Sequence, residues 1–158
     1  MFHLYPVTLN GLEQEFRAVK FIKAVKLIEE IINSHEFKQW FISYEFKQLY
    51  DLKFVSKDEL LDRLLTTVKF TYSVVRRPWY KRYSSVIGWT IGDEINTYRD
   101  SYDRMSLPEL AGHVSHELCH VLDFSHEVKY SKDRDFSIPY QVGFWCENKA
   151  KELLNKNN

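Results

Sequence analysis

An α+β fold is expected from three features of this 158-residue chain. One segment repeats apolar residues at helical spacing, one alternates them at strand spacing, and one carries the polar signature of a capped helix start. The expected architecture is a small mixed sheet of three to four strands. It packs against a long N-terminal helix and a second helix that begins near Leu107, with a last helix at the C-terminus. The length fits a single domain, 1–158, read as a helical part (1–56), a sheet region (57–105) and a helix–loop–helix part (106–158).

From Leu12 to Ile32, the residues Leu12, Phe16, Val19, Ile22, Val25, Ile28 and Ile32 recur every three or four positions, which predicts a long amphipathic helix. Helix is expected through about Trp40, and Phe41 to Phe54 is ambiguous between helix and strand. Glu36-Phe37-Lys38-Gln39 recurs as Glu45-Phe46-Lys47-Gln48, but one recurrence is no repeat architecture. Ser56 with Glu59 forms a capping-box pattern for a helix from Lys57 to about Thr67. Val68, Phe70, Tyr72 and Val74 then alternate with polar residues, the period of a half-buried strand, and Arg76-Arg77-Pro78 ends it. Ser85–Thr90 and Glu94–Tyr98 read as two further strands around a Gly92-Asp93 turn. Ser106-Leu107-Pro108-Glu109 is a second capping box, with proline where its missing N–H costs nothing, and predicts a helix to about Leu122. A polar loop to Ile138 precedes the final helix, Gln141 to about Leu154, and Asn155–Asn158 is expected to fray.

Composition narrows the function classes. Hydrophobic residues make up 44% and aromatics 16%, enough to build a core and to exclude a disordered chain. Twenty-two basic and 22 acidic residues give formal net charge +0, so no global field attracts nucleic acid or anionic membrane. No apolar run reaches the roughly 18 residues of a membrane span. The first residues lack a basic stretch followed by an apolar one, so a cytoplasmic location is expected. Cys119 and Cys146 are too few for a disulfide framework and read as reduced, with Cys119 in the core.

The chemistry lies in His116-Glu117-Leu118-Cys119-His120. Residues four apart share a helix face, so both imidazoles can reach one ion while Glu117 reaches a water beside it. Chance produces this pattern on the order of once in fifty such sequences. A catalytic zinc needs a third protein ligand and one open position. His126, ten residues after His116, is the first candidate, and Glu147 on the final helix is the alternative.

The string from His116 to His126 resembles the metzincin branch of the zincin metallopeptidases, whose motif is H-E-x-x-H-x-x-G-x-x-H. It departs twice. Asp123 stands at the glycine position, and the methionine turn is missing because the only methionines are Met1 and Met105. Ser137–Gly143 takes that place and resembles a Pro-Tyr element of small uncharacterised zincin-like proteins of phages and bacteria. A phage-encoded protein would be virion-associated.

The resemblance implies Zn2+ held by His116, His120 and His126, with Glu117 as general base. The implied reaction is hydrolysis of a peptide or protein substrate by a zinc-bound water. Tyr140 is a candidate donor to the oxyanion or a wall of the site. In zincins the substrate lies along an edge strand. Glu94–Tyr98 is the candidate edge, with Glu94 and Asn96 as candidate substrate-binding residues. His113 reads as a partly exposed histidine without a metal role. Glu109, Glu127 and Asp133 are candidates for orienting the ligand imidazoles.

Two other readings remain. One is a structural or assembly protein of a phage particle with a non-catalytic zinc, which the presence of Glu117 argues against. In the other, the basic aromatic run Arg76-Arg77-Pro78-Trp79-Tyr80-Lys81-Arg82-Tyr83 recruits DNA, as in SprT-like proteases. Its plainer reading is a solvated loop with Trp79 tucked against the sheet, and the balanced charge disfavours nucleic acid as a partner.

Overall fold

The computed structural model describes residues 1–47, 55–127, 129 and 131–156. Among these residues the architecture is mixed α+β, with one four-stranded sheet and six α-helices. A strand β1 (His3–Asn10) leads into α1 (Glu15–Asn33) and α2 (His35–Ser43). After α3 (Lys57–Leu64) the chain forms β2 (Thr67–Val75), β3 (Gly88–Ile91) and β4 (Glu94–Tyr98). Three helices follow: α4 (Arg99–Arg104), α5 (Leu107–Val121) and α6 (Ile138–Lys156).

The strands lie in the order β1-β2-β4-β3. β1 and β4 both run parallel to β2, and β3 returns antiparallel on β4 through the turn at Gly92, whose φ of 59° suits glycine. β4 is therefore an interior strand. The expectation that Glu94–Tyr98 forms the edge is corrected: β3 is the edge on that side. Period-two patterning fixes β2, but it cannot say which neighbour each strand takes.

Both capping boxes are present. Ser56 Oγ accepts from Glu59 N and Ser106 Oγ from Glu109 N, and each glutamate reaches back to its serine. Other boundaries differ from expectation. Ser34 ends α1 and caps α2 by accepting from Phe37 N, so the helix breaks before Trp40. α3 stops at Leu64, short of Thr67. β3 starts at Gly88 rather than Ser85, and α6 starts at Ile138 and reaches Lys156. β1 and α4 were not expected, so 1–56 is not wholly helical. The ambiguous stretch Phe41–Phe54 ends helical to Ser43, and its part from residue 48 lies outside the described residues.

The face of α1 also differs. Leu12, Ile28 and Ile32 are buried as expected, but Phe16, Val19 and Ile22 are exposed. The buried stripe instead runs through Arg17, Phe21, Ala24 and Ile28. Arg17 is admitted because its guanidinium takes both Asp103 carboxylate oxygens, at 2.7 and 2.6 Å. Phe21 stacks on Tyr72 of β2 with centroids 4.3 Å apart. Such side chains, fully buried, each contribute about 1.5–3 kcal/mol. Cys119 and Cys146 are free and fully buried.

α5 is the scaffold of the site. It packs between β3 and α6, and glycines allow the close approach to α6. A Cβ on Gly112 would stand 2.8 Å from Glu147 Cβ and 2.9 Å from the Gly143 carbonyl oxygen. Among the described residues, no helix is long and apolar enough to cross a membrane.

Candidate metal centre

His116 and His120 lie one turn apart on α5, and the chain after Val121 must turn back to bring in a third imidazole. It does so through a Schellman closure: Phe124 N donates to Cys119 O, and Asp123 N donates to His120 O. Asp123 sits at φ 60°, the left-handed conformation required there. Aspartate tolerates it better than most residues, and Arg63 holds its carboxylate at 2.9 Å.

The closure carries His126 back over the helix. The three Nε2 atoms converge, with His116–His120 at 3.3 Å and His126 at 3.2 Å from each of the other two. Two of the rings are oriented by carbonyls. His120 Nδ1 donates to Phe124 O at 2.8 Å and His126 Nδ1 to Glu127 O at 2.9 Å, leaving both Nε2 atoms with a free lone pair. Lone pairs this close repel unless a cation lies among them, so the three histidines could hold a metal ion.

Glu147 is not part of this cluster. It lines the same cleft, but its carboxylate pairs with Lys151 and stands outside the group of three converging imidazoles, so the alternative third ligand is corrected. The candidates for orienting the imidazoles divide likewise. Glu127 acts through its main-chain carbonyl, Glu109 is spent on the α5 cap, and Asp133 faces Lys47 at 3.4 Å.

Glu117 is 6% exposed. Thr90 Oγ1, on β3, donates to its Oε2 at 2.7 Å. Burial pushes the Glu117 carboxyl up to about 7, against the opposing pull of that hydrogen bond. His113 is buried, not partly exposed: its Nε2 lies 2.9 Å from Thr97 Oγ1. The Tyr140 ring packs edge-on to His116, with centroids 4.5 Å apart, and against His126. Arg134 stands over the Tyr140 ring at 5.0 Å. Thr90, His113, Glu117, Tyr140 and Arg134 line, with the three converging histidines, a cleft of about 1160 Å³ that runs along α5 between β3 and α6.

The expected substrate positions fare differently. Asn96 is 7% exposed within the interior strand, and Glu94 is half-buried beside Ser73. The cleft wall is made instead by Gly88, Trp89 and Thr90 of β3. Trp79 is 84% exposed, so it is not tucked against the sheet. Sequence reasoning missed Thr90, Thr97 and Arg134, because their relation to α5 exists only across the chain fold.

The buried histidines make apo-protein stability depend on pH. Burial, reinforced by neighbouring imidazoles, lowers His116 well below its usual 6.5. Burial brings His113 and His120 down to about 4 and also lowers His126. A histidine kept neutral by the fold adds stability above the unfolded value near 6.5, and this is lost as pH falls toward 4. Glu117 runs oppositely: its contribution is present below 4.5 and lost as pH rises through about 7. Four imidazoles outweigh one carboxyl. Metal-free protein should lose on the order of a few kcal/mol between pH 7.5 and 5. Melting in a chelator at the two pH values checks this, and a midpoint unchanged or higher at pH 5 would contradict it.

No protein-family model, no curated protein and no solved structure matches this chain.

Proposed function

We propose that this chain is a small zinc-dependent endopeptidase of zincin type. The observation that carries the reading is the convergence of three imidazole Nε2 atoms beside a buried carboxylate, in a cleft walled by an edge strand. Two ligands at about 2.0–2.1 Å from a tetrahedral ion stand about 3.3–3.4 Å apart, close to the spacing found here, and neutral imidazoles suit zinc. Three protein ligands leave one position for substrate chemistry.

A bound zinc supplies a Lewis acid for the scissile carbonyl and makes hydroxide accessible near neutral pH. Glu117, desolvated and fixed by Thr90, accepts the proton of the attacking water and passes it to the leaving nitrogen. Its elevated proton affinity suits both transfers. Tyr140 stands against two of the three imidazoles, where its phenol meets a substrate oxygen. An extended peptide adds to the open side of β3, which takes the role first expected of Glu94–Tyr98.

Protein purified without added metal or a histidine tag should carry about one zinc per chain and hydrolyse a denatured protein such as casein. Zinc without hydrolysis would favour the structural or assembly reading. No zinc, and none taken up at neutral pH, would remove the metal centre.

A second reading has one observation in its favour. Trp79, Tyr80 and Tyr83 are 84%, 68% and 88% exposed, beside exposed Arg76, Lys81 and Arg82. Exposed rings among exposed cations suit the stacked bases of a single strand. A SprT-like, DNA-associated peptidase would bind single-stranded DNA with an affinity that falls steeply with salt. Fluorescence anisotropy at two salt concentrations tests it, and absence of binding at low salt removes it.

A further inference from the structure

A chain of buried hydrogen bonds runs from the middle of the sheet to the back of Glu117. Tyr72 OH lies 2.8 Å from Thr97 Oγ1, and Thr97 Oγ1 lies 2.9 Å from His113 Nε2. Tyr72 and Thr97 are fully buried, and His113 is 7% exposed. Counting protons fixes the direction of the chain. The phenol has one proton, and among the described residues its hydroxyl has one hydrogen-bond partner, Thr97. Tyr72 therefore donates to Thr97. The Thr97 hydroxyl, having accepted, donates its own proton to His113 Nε2.

A neutral ring that accepts at Nε2 carries its proton on Nδ1. Burial holds His113 neutral, far below its ordinary value. Nδ1 is also the atom that faces the carboxylate, 3.9 Å from Glu117 Oε1. That separation is longer than a hydrogen bond and acts as a charge–dipole contact, and a small swing of the carboxylate closes it. The other oxygen, Oε2, is already held by Thr90. Space for the ring is built in. A Cβ on Gly88 would stand 2.6 Å from His113 Cε1 and 2.7 Å from Nε2, so β3 passes the imidazole only as glycine.

We propose that His113 is a positioning residue for Glu117, its ring held by the Tyr72–Thr97 hydroxyl relay as the Nδ1–H tautomer with that N–H aimed at the carboxylate. The effect on rate rests on the peptidase reading above, whereas the tautomer does not.

The tautomer is read directly from long-range proton–nitrogen spectra of the full, zinc-loaded chain labelled with 15N-histidine, with a His113→Asn sample assigning the signal. The expected result is a neutral ring protonated at Nδ1. In Tyr72→Phe, Thr97 loses its donor and is free to accept, so the His113 signal should move toward the Nε2–H form. A wild-type ring protonated at Nε2 would overturn the proposal.

Kinetics supply the second arm. His113→Leu keeps the volume and removes the donor, while His113→Asn returns an N–H near the Nδ1 position. With zinc content unchanged in both, Leu should lower kcat about 10–100-fold at unaltered KM, the usual range for groups that orient a site, and Asn should restore most of it. Equal losses in the two variants, or a loss that appears in KM or zinc content, would make His113 merely structural. If the parent hydrolyses no peptide, the peptidase reading fails, and the spectra still uphold or overturn the relay.

Discussion

Glu117→Gln should keep its full zinc content and lose hydrolysis by about 10²–10⁴-fold, the range that positioned acid–base groups supply. The substitution is nearly isosteric. Glutamine retains an acceptor for the Thr90 hydroxyl, and none of the three converging Nε2 atoms belongs to residue 117. Fold and metal binding should therefore survive while the proton acceptor is removed. The charge-free amide also relieves the desolvation that pushes the Glu117 carboxyl up to about 7, so the variant should melt no lower than the parent at pH 7.5. Zinc by atomic absorption, casein turnover and a thermal melt together check the prediction. Undiminished turnover would mean that Glu117 is not the base.

His126→Ala should act at the other end of the site, lowering zinc affinity by about two to three orders of magnitude. An apparent zinc-binding energy of ~10–16 kcal/mol divided over four positions gives a loss of that order. His126 is chosen because it lies beyond the helix, half-buried on the returning loop, so its truncation leaves no hole in the core. Competition with a chromophoric chelator measures the affinity. A variant that binds zinc as tightly as the parent would show that His116 and His120 work with some other third ligand, and Glu147, which lines the cleft, would have to leave its pairing with Lys151 to serve.

What the sequence revealed and what it hid divide along physical lines. The two capping boxes, the β2 alternation and the His116-Glu117-His120 face are local: each is set by residues within a few positions of one another, and each is found where it was expected. Asp123 is also legible, since a short polar residue at the glycine position can take the left-handed turn that returns His126. Non-local relations were not legible. The buried stripe of α1 runs through a charged residue because Asp103, 86 positions away, neutralises Arg17, and no periodicity reveals that. β1 escaped notice because it contains Pro6, which an edge strand can accommodate without losing a ladder bond. The interior place of β4 follows from parallel pairing with β2, a choice made by topology, so Glu94 and Asn96 were assigned to an edge that belongs to β3. His113 looked exposed because its partner, Thr97, sits on a different element.

The Schellman closure at Asp123 has a consequence for the order in which the molecule assembles. All three imidazoles fall within eleven residues, from His116 to His126, so bringing them together closes only a short loop. The setting of Glu117 is of the opposite kind: Thr90 and, through His113, Thr97 and Tyr72 must arrive from strands up to 45 positions upstream. Contacts of such sequence separation carry a larger loop-closure cost and are expected to follow the local ones. The three imidazoles can thus come together while the sheet is still open, whereas Glu117 gains its buried surroundings only when the sheet has closed behind it. On the metallopeptidase reading, a nascent chain of this design acquires its ion before it acquires the means to cut.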